Sequence, residues 1–209
     1  MTDIIIFALE IIGVIAFAIS GALVGIGKKM DILGISILGL SVAVGGGVIR
    51  DLILGITPPM TFRNPVYATV AIITSIIVFF YTKKVKSSLS RKTKDRLMLI
   101  MDATGLGIFT VVGINTAYMQ GSDYSMFLLI FVGVITGVGG GILRDIMAGD
   151  RPYVFVKHFY ASASIIGAIA YVIIHPLIGT VPSMFIGTAL IITLRLCAAH
   201  FRWSLPKPE

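Results

Sequence analysis

The chain has 209 residues, 56% of them hydrophobic and only 13% charged, with a mean hydropathy of +0.99. A soluble domain carries about 25% charged residues, so a water-soluble globular protein is excluded and an integral membrane protein is expected. The 17 Lys and Arg against 10 Asp and Glu give a formal +7; they sit in short loops without an accompanying domain, which reads as topogenic positive charge and speaks against nucleic-acid binding.

Membrane β-barrels are built from alternating strands of about ten residues, whereas the apolar runs here are continuous. The fold class is therefore all-α, a single transmembrane domain over 1–209. The first span runs from about Ile4 to Ile26 and is closed by Lys28 and Lys29. Its start lacks the basic segment of a secretory signal peptide, so it is expected to stay as a span. The second covers about Ile32 to Leu54, and Pro58 and Pro59 forbid its continuation. A third starts near Pro65, where proline suits a first helical turn, and ends at Tyr81.

A connector over 82–96 follows, with seven basic residues against the single Asp95. It reads as a topology determinant or as a contact for anionic lipid headgroups. Span four covers about Leu97 to Tyr118, span five Met126 to Ala148, span six about Phe159 to Ile174 with His175-Pro176 as its stop, and span seven about Met184 to Ala199. With the connector placed in the cytoplasm, every basic loop residue except Arg63 falls on that side. The N-terminus is then outside and the C-terminus cytoplasmic, as expected in a multi-pass cell (inner) membrane protein.

The chain repeats itself. Gly45-Gly46-Gly47, Arg50-Asp51, Gly55 and Pro58 recur as Gly139-Gly140-Gly141, Arg144-Asp145, Gly149 and Pro152. Tyr67-Ala68-Thr69 recurs as Tyr160-Ala161-Ser162, and Glu10, Gly13, Phe17 and Gly21 recur as Asp102, Gly105, Phe109 and Gly113. Repeat A therefore spans about 4–81, repeat B about 97–174, and an extra helix about 184–199 is added. A unit of three spans enters the membrane in opposite senses in its two copies, so a 3+3 inverted repeat plus one helix is expected. In such folds solute passes near the midplane, along discontinuous helices.

Each triple glycine is read in one of two ways. Glycines let the backbone leave helical geometry, so helices 2 and 5 are expected to be broken there, with freed carbonyls offered to water or a permeant K⁺ or Na⁺. Alternatively, small residues let membrane helices approach closely. Arg50 and Asp51 point about 100° apart on a helix, as do Arg144 and Asp145, so exchange across the repeats is expected: Arg50 with Asp145 or Asp102, Arg144 with Asp51 or Glu10. These pairs either fasten the repeats or line and gate a polar route. Glu10 and Asp102 are ionisable groups inside spans, which is by default a functional signal; near helix starts they also suit the dipole.

His158, His175 and His200 share no ligand spacing, and Cys197 is the only cysteine, so no metal site is expected and no cofactor is called for. No nucleophile–base pattern or phosphate loop occurs, which speaks against an enzyme.

Two copies of Gly-Gly-Gly-x-x-Arg-Asp in a 3+3+1 layout resemble the prokaryotic TRIC family of trimeric intracellular cation channels, a bacterial group also described as a glycine-transporter domain. The resemblance runs from about Ile4 to Ala199. It implies a homotrimer with a pore in each protomer, conducting monovalent cations, mainly K⁺ and also Na⁺. It also implies that Gly45–Gly47 and Gly139–Gly141 kink helices 2 and 5 beside that pore. The runner-up is a secondary transporter for a small amino acid such as glycine, whose carboxylate Arg50 or Arg144 would suit.

Overall fold

In a computed structural model, residues 2–84, 91–121, 124–156 and 159–203 are described. The apolar runs become α1 (Thr2–Gly27), α2 (Ile32–Ile53), α4 (Val66–Lys84), α5 (Arg91–Gln120), α6 (Met126–Met147), α8 (Tyr160–Ile178) and α9 (Thr180–His200). All seven are long and apolar enough to cross a membrane. Two single-turn helices, α3 (Met60–Arg63) and α7 (Tyr153–Val156), follow α2 and α6. Large apolar side chains such as Ile73, Ile77, Phe127, Ile173 and Phe185 point outwards, as lipid requires.

The ends of α2 and α6 are built alike. The Asp31 side chain caps α2 by accepting from the Gly34 N–H at 2.7 Å, and Ser125 caps α6 by accepting from the Leu128 N–H at 3.2 Å. At the other end Gly55 and Gly149 both take φ of 72°, a left-handed conformation that glycine adopts without penalty. Behind them, the Ile56 N–H reaches the Asp51 carbonyl and the Asp150 N–H the Asp145 carbonyl, each at 2.8 Å.

Three boundaries differ from the sequence reading. α5 begins six residues early, so 91–96 of the basic connector extend a helix; 85–90 lie outside the described residues. His175 and Pro176 lie within the last turn of α8, which continues to Ile178. α9 starts at Thr180 rather than Met184.

The expected breaks in helices 2 and 5 are absent. α2 and α6 are continuous helices across Gly45–Gly47 and Gly139–Gly141. What the glycines permit is close approach. A Cβ on Gly46 would overlap the Thr136 carbonyl oxygen, and one on Gly140 would overlap the Val42 carbonyl oxygen. A Cβ on Gly139 would lie 3.1 Å from the Gly46 Cα. The two helices therefore cross backbone against backbone. Propensity disfavours glycine inside a helix by roughly 1 kcal/mol, but close packing compensates for it, because lipid offers no competing hydrophobic drive.

The same device joins helices within each repeat. A Cβ at Gly21 of α1 would come within 2.9 Å of the Gly39 Cα on α2, and one at Gly113 of α5 within 3.2 Å of the Gly133 Cα on α6. Phe17 and Phe109 stack at 5.3 Å between ring centroids, beside the α2–α6 crossing, where a Cβ on Gly140 would lie 3.1 Å from the Phe17 ring. One apolar core gathers around α1, α2 and α4, and a second around α5, α6, α8 and α9.

The crossing makes a prediction of opposite signs at adjacent glycines. Gly46→Ala and Gly140→Ala push a methyl into a facing carbonyl and are expected to destabilise by about 1–3 kcal/mol. Gly47→Ala, whose Cβ meets nothing nearer than Arg50 Nη2 at 3.8 Å, is expected to be neutral or to stabilise by up to about 1 kcal/mol. Thermal unfolding of the three variants in detergent reads the difference.

Candidate functional site

Two polar clusters are built at opposite ends of the bundle, one per repeat. In the first, Arg50 near the end of α2 folds back on its own neighbour, its Nε donating to Asp51 Oδ1 at 2.8 Å. Asp51 Oδ2 accepts from the Met60 N–H at 2.7 Å and so ties α2 to the first residue of α3. Glu10 on α1 accepts from the Tyr67 hydroxyl on α4. Glu10, Arg50, Tyr67, Gly47 and Met60 face a small cavity of about 40 Å³, with Val14, Ala43 and Phe109 among its other walls.

The second cluster repeats this plan. Arg144 Nε donates to Asp145 Oδ1 at 2.9 Å, and Asp145 Oδ2 accepts from the Tyr153 N–H at 2.7 Å, tying α6 to α7. The Tyr160 hydroxyl of α8 donates to Asp102 Oδ1 of α5 at 3.3 Å. Here the arginine also reaches the carboxylate of the neighbouring helix: Arg144 Nη1 is ion-paired to Asp102 and donates to Ser20 Oγ of α1 at 2.8 Å. Arg144 is 0% exposed and Arg50 6%. The Arg144 guanidinium lies over the Tyr153 ring at 5.0 Å, and Arg195 of α9 over the Tyr160 ring at 4.9 Å. A cavity of about 690 Å³ opens onto Asp102, Tyr153 and Arg195.

The structure corrects the expected exchange across the repeats. Arg50 meets neither Asp145 nor Asp102, and Arg144 meets neither Asp51 nor Glu10 in the hydrogen bonds and ion pairs among the described residues; each arginine pairs with the aspartate beside it. Adjacent side chains do leave the helix in different directions, but the guanidinium sits on a stem long enough to bend back. The one cross-repeat hydrogen bond from these arginines goes to Ser20. Gly45–Gly47 and Gly139–Gly141 lie between the clusters, on the continuous helices.

Four residues with a place in the clusters had no role assigned from sequence. Tyr67 and Tyr160 belong to a matched repeat segment, and that recurrence was their signal. Ser20 and Arg195 have no counterpart in the repeat. A buried arginine in an apolar span was the only cue for Arg195.

Charge pairing separates the two carboxylates by experiment. Asp102→Asn removes one of the two carboxylates paired with a fully buried arginine, Asp145 remaining, and is expected to cost up to about 3 kcal/mol. Glu10→Gln disturbs one hydrogen bond with Tyr67, worth about 1 kcal/mol. Equilibrium unfolding in mixed micelles should show the larger loss for Asp102→Asn.

The glycine-transporter family model matches the chain twice, over residues 7–83 and 99–176, once per repeat. The inner membrane protein YadS of Escherichia coli K12 is 32% identical over 98% of this chain and 95% of its own length. The membrane protein YvgT of Bacillus subtilis is 34% identical over 95% of this chain and 94% of its own. Among solved structures, a prokaryotic TRIC channel in 0.5 M KCl superposes with a TM-score of 0.89 at 32% identity, covering 97% of this chain and all of the other. The TRIC trimeric intracellular cation channel orthologue from Rhodobacter sphaeroides gives 0.86 at 31% identity, covering 95% and 99%. A structure that describes conductance through TRIC cation channels gives 0.82 at 34%, covering 97% and 96%. The chain therefore belongs to the family of the prokaryotic TRIC channels, the family that the glycine-transporter model describes.

Proposed function

We propose that this protein is a passive channel for monovalent cations, K⁺ and also Na⁺, and that ions pass within each protomer across the junction of α2 and α6. The observation that carries this reading is the two-way, near-complete likeness to three TRIC cation channel structures, each above 30% identity. Two chambers with buried carboxylates, on either side of a crossing with few side chains, support it. At that crossing only Leu143 and Ile49 reach across to the facing glycines, Gly45 and Gly139, so few side chains would have to move for the helices to separate. Glu10, Asp51, Asp102 and Asp145 compensate Arg50 and Arg144, so that a cation is not simply repelled. Gly45–Gly47 and Gly139–Gly141 would act as the pliable contact beside which a permeant ion passes. Arg50 and Arg144 would tune the field or gate the path.

The assembly in this reading is a homotrimer, as in the relatives whose descriptions call them trimeric. The membrane is the inner (cell) membrane, as the Escherichia coli relative's description suggests, with the N-terminus outside and the C-terminus cytoplasmic. Anionic lipid would sit at the basic connector. There, Lys83 and Lys94 border a cavity of about 350 Å³ with an apolar floor that includes Ile26, Met30, Ile35 and Phe79.

Planar bilayers containing the purified protein test the function. A KCl gradient should give unitary currents that reverse near the potassium equilibrium potential. Saturable glycine uptake without unitary current would overturn the channel reading in favour of a carrier. Arg144→Gln, which removes one gating charge, should change the voltage dependence of opening while the reversal potential stays on the cation side.

A further inference from the structure

The two repeats carry matching charges around their chambers, with Glu10 and Arg50 on the wall of the first, Asp102 on the wall of the second, and their partners Asp51, Arg144 and Asp145 packed behind. Glu10, Arg50 and Asp51 carry a formal net −1, and so do Asp102, Arg144 and Asp145. The larger chamber differs in one respect: α9, which has no counterpart in the repeat, places Arg195 on its wall. Arg195 is 3% exposed, lies over the ring of Tyr160, and that tyrosine's hydroxyl bonds to Asp102. Arg195 Nε and Asp102 Oδ2 are both buried without a hydrogen-bond partner among the described residues, and both residues line this cavity. Asp95 and Arg202 at the rim offset each other.

We propose that Arg195 makes the two chambers electrostatically unequal, neutralising the second while the first stays negative, and thereby sets the rectification of the cation current. This rests on the channel reading above. A fixed charge inside a low-dielectric wall changes the local cation concentration. One unit charge at about 6 Å across water changes it about threefold. The asymmetry therefore belongs to the helix outside the duplication, and the repeats alone would give a nearly symmetric conductor.

The test is the current–voltage relation of single channels in symmetric potassium solution. Arg195→Gln is expected to raise the smaller limb of the curve about twofold at about 0.1 M salt, where screening reaches about 10 Å, and the excess should nearly vanish at about 1 M, where it reaches only about 3 Å. Arg195→Lys keeps the charge and should keep the rectification. Ala199→Glu adds a carboxylate to the cavity wall with Arg195 in place and should act like Arg195→Gln, so it decides the matter if that variant fails to fold. Curves unchanged in both Arg195→Gln and Ala199→Glu, in a protein that conducts, overturn this inference alone. Loss of rectification in Arg195→Lys as well would make the contact with Tyr160, not the charge, responsible, and would also overturn it. Absence of cation current in the unaltered protein would overturn the channel reading and this inference together.

Discussion

Everything in this fold is arranged around a place where the backbones of two helices come into contact. Gly46 rests against the Thr136 carbonyl and Gly140 against the Val42 carbonyl, so α2 and α6 meet at backbone distance. In a bilayer, packing rather than hydrophobic burial holds helices together, and small residues give the closest packing. The crossing belongs to both repeats at once, and with the Phe17–Phe109 stack it joins the two halves. Its contacts are backbone against backbone at Gly46 and Gly140, with Leu143 packed on Gly45 and Ile49 on Gly139 at its sides. Separating it requires no buried ion pair to break.

The guanidinium groups flank that crossing, and their carboxylate partners belong to their own repeats. Each Arg-Asp pair sits near the end of its helix, and its aspartate also receives the first N–H of the short helix that follows. A buried ion pair is weak evidence for stability, but here each pair locks a helix end, a turn and a chamber wall into one unit. The halves differ in depth of burial: Arg144 is completed by Asp102 and Ser20, whereas among the described residues Arg50 bonds to Asp51 alone. In the channel reading, a charged wall on each side of an apolar crossing would admit ions while blocking open leakage.

Much of this was legible in the sequence, because composition, span length and recurrence are additive signals. The seven spans, the duplicated glycines and the matched Glu10 and Asp102 all follow from counting. What stayed illegible is what depends on three-dimensional proximity. A triple glycine has one local signature whether it breaks a helix or admits a neighbour, and only the position of Thr136 opposite Gly46 decides. Side-chain reach hid the true partners of Arg50 and Arg144, since helical angles describe where a stem leaves the backbone and not where a guanidinium arrives. Nothing local to Arg195 tells a lipid-facing arginine from a cavity-lining one; its meaning comes from the cavity that α5 and α9 line around it. Pro176 looked like a stop, yet α8 runs on to Ile178 before the chain reverses at Gly179, at the cost of the one helical hydrogen bond that proline cannot donate.

The central claim is that cations travel from one chamber to the other past the α2–α6 crossing. Silver ion is singly charged, and as a soft metal it binds thiolate strongly, so a cysteine in the far chamber reports whether it has passed. Ala43 is buried and lines the first chamber. In Ala43→Cys with Cys197→Ala, silver nitrate would be added only on the side of the α9 C-terminal end during single-channel recording in chloride-free potassium nitrate. The account predicts irreversible block at a rate that follows open probability. Current that persists under silver from that side, while silver from the opposite side blocks it, would mean that ions do not cross there.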